Sequence, residues 1–239
     1  MAKTYFKKYT GDTDSIKAAM KVVGVKDPSL EYRKKIGYYN NISGVGTAEG
    51  NLRMLALLKK GKLIKSLTGG DLYVRYLRDI HKYIKAHGKH FYYSWKAAQG
   101  SFEKAKDKVK SGKKTGLTCV VPCRWALLLM GINPSGFYGK KGKFTKFTEA
   151  MRKKLIKITK GGAIGKTVKQ AVDKKLLKRG DILTFEGKTH TVVYVGSGYC
   201  VFDGGSAAEK RGYENVGIIL DYSKVDKDYK ISSILRWKE

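Results

Sequence analysis

The feature that most constrains this fold is a change of hydrophobic period near Gly180. Before it, apolar residues recur three and four positions apart, as on one face of a helix. After it they come in short runs, 180–185, 190–195, 199–202, 216–220 and 231–237, separated by turn residues such as Glu186-Gly187-Lys188 and Ser197-Gly198. Runs of that length bounded by glycine predict strands joined by hairpins. Helices first and an antiparallel sheet afterwards define an α+β chain.

The helical part itself divides. Ile16, Ala19, Met20 and Val23 form one stripe, closed by Gly24. A second helix is expected to begin at Pro28 and run through Tyr32 to Ile36. After the turn Asn40-Asn41-Ile42-Ser43-Gly44-Val45-Gly46, a third carries Leu52, Leu55 and Leu58 and stops at Gly61. Residues 1–10 read as a basic lead-in. This three-helix unit lies near the lower size limit for independent folding. Leu67-Thr68-Gly69-Gly70 is the expected joint, giving domains 1–66 and 67–239. The second opens on a strong stripe, Tyr73, Tyr76, Leu77, Ile80, Tyr83 and Ile84, ended by Gly88. Phe91-Tyr92-Tyr93-Ser94-Trp95 follows, then an amphipathic piece over 101–109. A Gly- and Lys-rich loop is expected over 133–143, a helix with Phe147, Met151 and Leu155 on one face, and a short helix over 167–177.

Charge narrows the partners. Lys and Arg number 50 against 20 Asp and Glu, a net charge of +30 spread along all 239 residues. Such a chain attracts polyanions: nucleic acid, an anionic membrane surface, or a bacterial wall rich in phosphate polymers. Lysine dominates, which favours diffuse attraction over bidentate base reading. No apolar run is long enough to span a membrane. The opening residues lack an apolar secretory core, so no signal peptide is expected. Cys119, Cys123 and Cys200 are an odd set, wrongly spaced for a structural zinc site, and are expected to be free thiols.

The stretch 115–132, TGLTCVVPCRWALLLMGI, places a thiol where a buried helix begins, with Gly131 as its stop. A cysteine at a helix N-terminus ionises more readily, as a nucleophile must. Pro122 suits a helix opening at Cys119 and equally one opening at Pro122, in which case Cys123 is the first-turn thiol. Of the four histidines, His81, His87 and His90 lie on or beside the Tyr-rich helix. His190 stands at the start of a strand, on one face with Val192 and Tyr194, as a core histidine or a catalytic one.

Two resemblances follow from these residues. The series over 10–66, with its D-S-I start, V-G-V turn, R-K-K-I helix and N-L-R-M-L-A-L-L-K-K-G-K-L-I-K end, resembles a small module attached to phage and prophage cell-wall lytic enzymes. That likeness implies a hold on peptidoglycan; the residues alone equally allow a helical packing domain. Over 70–222, FYYSW, TCVVPCRWALLLMGI and RGDILTFEGKTHTVVYVGSGYCVFDGG are together similar to NlpC-type, papain-like cysteine peptidases and amidases. Gly131 stands twelve residues after Cys119, as that family's helix glycine does. Gly180-Asp181-Ile182 matches its strand opening, and His190, Tyr194, Gly196 and Gly198 match its histidine motif. The D-C-S-G series usual at the nucleophile is here Thr118-Cys119-Val120-Val121.

The resemblance implies a papain-like fold and acyl transfer without metal or organic cofactor. Cys119, paired with His190, attacks an amide carbonyl while backbone N–H groups steady the oxyanion. Asp203, brought into place by a one-residue bulge, or another polar group orients the imidazole. Tyr92 or Tyr93 bonds near the thiolate or simply packs. The expected protein is a peptidoglycan hydrolase of endolysin type, an endopeptidase or N-acetylmuramoyl-L-alanine amidase, made in the host cytoplasm and acting on the wall and its anionic polymers after release. No paired carboxylates are placed for glycosidase work. The alternative, a non-catalytic basic protein binding nucleic acid, explains the charge but gives Cys119 and His190 no task, and no groove-reading or stacking motif supports it.

Overall fold

A computed structural model describes residues 3–94, 96–196, 200–203, 218–221 and 228–238, with 200–203 and 218–221 as backbone. The chain is α+β and divides into two compact units, Met1–Thr68 and Gly69–Lys238. The division falls inside the Leu67–Gly70 joint.

The first unit contains β1 (Thr4–Tyr5), α1 (Ile16–Val22), α2 (Leu30–Tyr39), α3 (Ala48–Lys59) and β2 (Ile64–Ser66). Each helix starts where a hydroxyl satisfies a first-turn N–H: Ser15 accepts from Ala18, Ser29 from Tyr32 and Thr47 from Gly50. Each stops on a left-handed residue, Gly24 (φ 91°), Asn41 (φ 56°) or Gly61 (φ 67°). The next residue's N–H then bonds back across the last turn, Val25 to Met20, Ile42 to Gly37 and Lys62 to Leu57, each at 2.9 Å. Two details correct the sequence reading. Pro28 precedes the second helix, because Ser29 is its cap. Leu52 is exposed, and Met54 joins Leu55 and Leu58 in the core. The basic lead-in is built in: Thr4 pairs with Ser66, and Phe6 and Tyr9 are buried.

The second unit holds α4 (Gly69–Ala86), β3 (Phe91–Tyr93), α5 (Phe102–Lys110), β4 (Thr115–Leu117), α6 (Val121–Leu129), β5 (Tyr138–Lys140), β6 (Lys143–Thr145), α7 (Glu149–Lys154), β7 (Leu155–Ile158) and α8 (Val168–Asp173). Then come β8 (Ile182–Phe185), β9 (Thr191–Gly196), β10 (Cys200–Asp203), β11 (Ile218–Asp221) and β12 (Ile231–Trp237). The six-stranded sheet runs β11-β10-β9-β8-β12-β7, each neighbouring pair antiparallel.

Alternation along the central strands builds two cores. Ile182, Val193, Val195 and Leu235 pack with apolar residues of α4, α5 and α6. Leu183, Phe185, Val192, Ile231 and Ile234 pack with Val168, Ala171 and Val172 of α8. A sheet covered on both faces gives the strands the apolar density that marked them in the sequence.

The expected helix through Phe147, Met151 and Leu155 stops at Lys154, and Leu155 opens β7. β7 pairs with β12, whose Trp237 lies opposite Leu155, so sheet pairing overrides a pattern that reads equally well as a further helical turn. The expected loop 133–143 contains half of the β5–β6 hairpin.

Asp181 of the Gly-Asp-Ile opening has a structural task. It is fully buried and accepts from Arg236 Nε at 3.0 Å and Nη2 at 2.6 Å, and from the Lys178 N–H at 2.8 Å. Burial still raises its carboxyl above the usual range, although Arg236 opposes the shift. Ser197, Gly198 and Tyr199 lie outside the described residues.

Candidate functional site

The β3–β4 ribbon leads into the site. It is parallel, with Phe91, Tyr92 and Tyr93 opposite Thr115, Gly116 and Leu117, and Thr118 and Cys119 follow directly. The pairing needs a bare backbone at 116: a Cβ on Gly116 would lie 2.5 Å from the Ser94 carbonyl oxygen. Tyr93 packs against the core and Tyr92 is exposed, so of the two tyrosines Tyr93 is on the inner side.

Cys119 does not sit in the first turn of the helix, as the sequence had led us to expect. It lies in the turn before it, where the Val121 N–H donates to the Thr118 carbonyl at 3.1 Å. The helix starts at Val121 because Pro122, lacking an N–H, fits only the first turn, where that donor is not needed. Val120 caps it with no side-chain bond. At the other end Gly131 (φ 73°) donates to Leu128 and Ile132 to Leu127, both at 2.9 Å, so the glycine is the stop the spacing requires.

Cys123 is therefore the first-turn thiol, and it is entirely buried. Its Sγ donates to the Cys119 carbonyl at 3.5 Å. Burial pushes the thiol up to about 12; the neighbouring Cys119 adds to the rise, and Tyr73 and His190 oppose it. A helix-dipole effect at this end does not overcome that desolvation. Cys119 keeps 7% of its surface exposed. Cys200 belongs to the described backbone of β10 only.

His190 immediately precedes β9 and is buried. Its ring stacks on Phe185 at 5.8 Å between centroids and meets Tyr229 edge-on at 6.4 Å. Those contacts put the imidazole on the α8 side of the sheet, whereas α6 packs on the opposite side. The imidazole nonetheless acts electrostatically on Cys123, opposing the rise of its thiol. Asp203 ends β10 opposite Ile218. The β9–β10 pairing carries a register irregularity between Cys200 and Val201, ahead of Asp203; the Asp203 side chain lies outside the described residues.

Two groups escaped the sequence reading. Tyr73, there only one member of an apolar stripe, sends its buried hydroxyl to the Cys123 carbonyl at 3.3 Å, and its proximity opposes the rise of the Cys123 thiol. Thr118 is fully buried with its Oγ1 unbonded among the described residues, directly beside Cys119. Nothing in the local sequence distinguishes either from packing. Among the described residues no group of three or more His, Cys, Asp or Glu is placed to hold a metal ion. Among the described residues no helix is long and apolar enough to cross a membrane. Comparison with protein-family models, curated proteins and solved structures finds no match.

Proposed function

We propose that this protein is a peptidoglycan hydrolase of endolysin type, with a papain-like, NlpC-type second unit that cleaves a stem-peptide amide bond by cysteine–histidine chemistry. The carrying observation is that His190, remote in sequence from both thiols, acts electrostatically on Cys123, four residues after Cys119, where α6 begins. Cys119 is the nucleophile in this reading. Cys123, held protonated by burial, is a packing residue of the same helix. His190 takes the thiol proton and returns it to the leaving amine. For that, its ring has to leave Phe185 and turn toward Cys119. Asp203, or another acceptor, orients it. The first unit holds the enzyme on the wall, and the +30 charge supports residence among anionic wall polymers.

Turbidity loss of a purified wall suspension tests the reading. Activity is expected in the native chain, lost in Cys119→Ala and His190→Ala, and retained in Cys123→Ser. Salt-sensitive DNA retention with no lysis would instead establish the basic nucleic-acid-binding alternative. Lysis untouched by Cys119→Ala would remove the assigned nucleophile.

A further inference from the structure

A small pocket of about 150 Å³ opens beside the first turn of α6, lined by Ala98, Gln99, Gly100, Val121, Arg124 and Trp125. Arg124 is its charged group. The Arg124 Nε is buried and has no hydrogen-bond partner among the described residues. Desolvation alone depresses the guanidinium pKa, with no carboxylate acting against it. The side chain as a whole is half-buried, so the unmet demand is that of the Nε–H, a buried donor of a kind ordinarily satisfied. Arg236 in the same unit shows the ordinary case, fully engaged with Asp181.

The remaining lining is arranged rather than collapsed. The Trp125 indole N–H donates to the Gln99 carbonyl at 2.9 Å, and the Gln99 amide donates to the Ala97 carbonyl at 3.0 Å. These bonds hold the Gln99–Gly100 backbone against α6 and leave the Arg124 Nε–H as the buried donor without a partner among the described residues. The helix start adds positive potential, since Val120 offers no capping side chain.

We infer that this pocket is a binding site for a small carboxylate, held by the Arg124 guanidinium. A planar, delocalised fork matches a carboxylate through paired N–H donors. The space suits a group of alanine size and excludes a polymer segment. Taken with the hydrolase reading, on which this step rests, the carboxylate is one carried by a peptide substrate. It would then anchor that peptide beside the turn bearing Cys119. The carboxylate chemistry itself does not depend on that reading.

The test uses the full chain with Cys119→Ala, so that binding is read without turnover. N-acetylalanine and N-acetylalaninamide are titrated while the Trp125 indole N–H resonance, assigned with Trp125→Phe, is followed by nitrogen-edited NMR. The expected result is a saturable shift with the carboxylate and none with the amide. Arg124→Gln is expected to weaken binding about tenfold or more, and Arg124→Lys, which keeps the charge but not the fork, by less. An equal response to the amide would overturn the proposal. So would no response to the acid, or undiminished binding by Arg124→Gln in a chain whose other resonances are unmoved. Carboxylate binding in a chain that never lyses walls would uphold the site and sink the hydrolase reading.

Discussion

Alkylation of the native protein discriminates sharply between the two thiols at α6. Burial moves Cys123 from 9.0 to about 12. Near pH 8 that shift lowers the thiolate fraction about 1000-fold relative to an unperturbed thiol. A more basic thiolate is intrinsically more reactive, and a Brønsted slope of about 0.4–0.5 returns a factor of ~15–30. The net expectation is that Cys123 reacts with iodoacetamide about 30–60 times more slowly than a small exposed thiol, before steric exclusion slows it further. Peptide mapping by mass spectrometry after timed quenching gives the rate at each cysteine, with a denatured control in which every thiol reacts. The Cys123 rate is expected to keep rising about tenfold per pH unit beyond pH 9, where an unperturbed thiol levels off. The same linkage bears on stability. A folded-state value above the unfolded one means the contribution is complete below pH 9.0 and is lost as pH rises toward about 12. Over the whole window that loss is about 4 kcal/mol, and Cys123→Ala is expected to abolish it. Rapid labelling of Cys123 at pH 8 in a protein with native near-ultraviolet dichroism would refute the reasoning.

Three further perturbations test the framework around the site. Asp181→Ala leaves the Arg236 guanidinium without its carboxylate and is expected to cost about 3–5 kcal/mol in denaturant unfolding. Replacing both partners by apolar residues of similar volume is expected to cost much less. Tyr73→Phe deletes a buried hydroxyl that donates to the Cys123 carbonyl, with an expected loss of about 1 kcal/mol in thermal unfolding. Gly50→Ala, a change that ordinarily favours a helix by about 1 kcal/mol, is expected here to destabilise the first unit by about 1–3 kcal/mol. Its Cβ would lie 2.1 Å from the Gly44 carbonyl oxygen.

Local chemistry made the helices legible. Gly24, Gly61 and Gly131 stop their helices because the left-handed conformation is needed there, and β12 is recovered residue for residue. What stayed hidden was decided by partners distant in sequence. Leu155-Ile156-Lys157-Ile158 becomes a strand only because β12 is there to pair with it. The β3–β4 ribbon joins segments separated by α5, and parallel pairing of that kind leaves no hairpin signal. At the site, alternation correctly put His190 with Val192, but no pattern in the sequence indicates which side of the sheet α6 takes. Nor does residue type reveal that burial keeps Cys123 protonated, or that the buried Arg124 Nε has no partner among the described residues.

The outer position of β7 has a bearing on how these molecules behave at high concentration. A strand at a sheet margin offers unpaired backbone groups to any neighbouring chain, and proteins commonly blunt that invitation with lysine. Here Lys157 stands on the strand beside the exposed Ile156, with Lys153 and Lys154 immediately before it. Two such margins approaching each other would bring like charges together before any ladder formed, so the same basicity that draws the chain to polyanions also guards it against fibre-like stacking with its own copies.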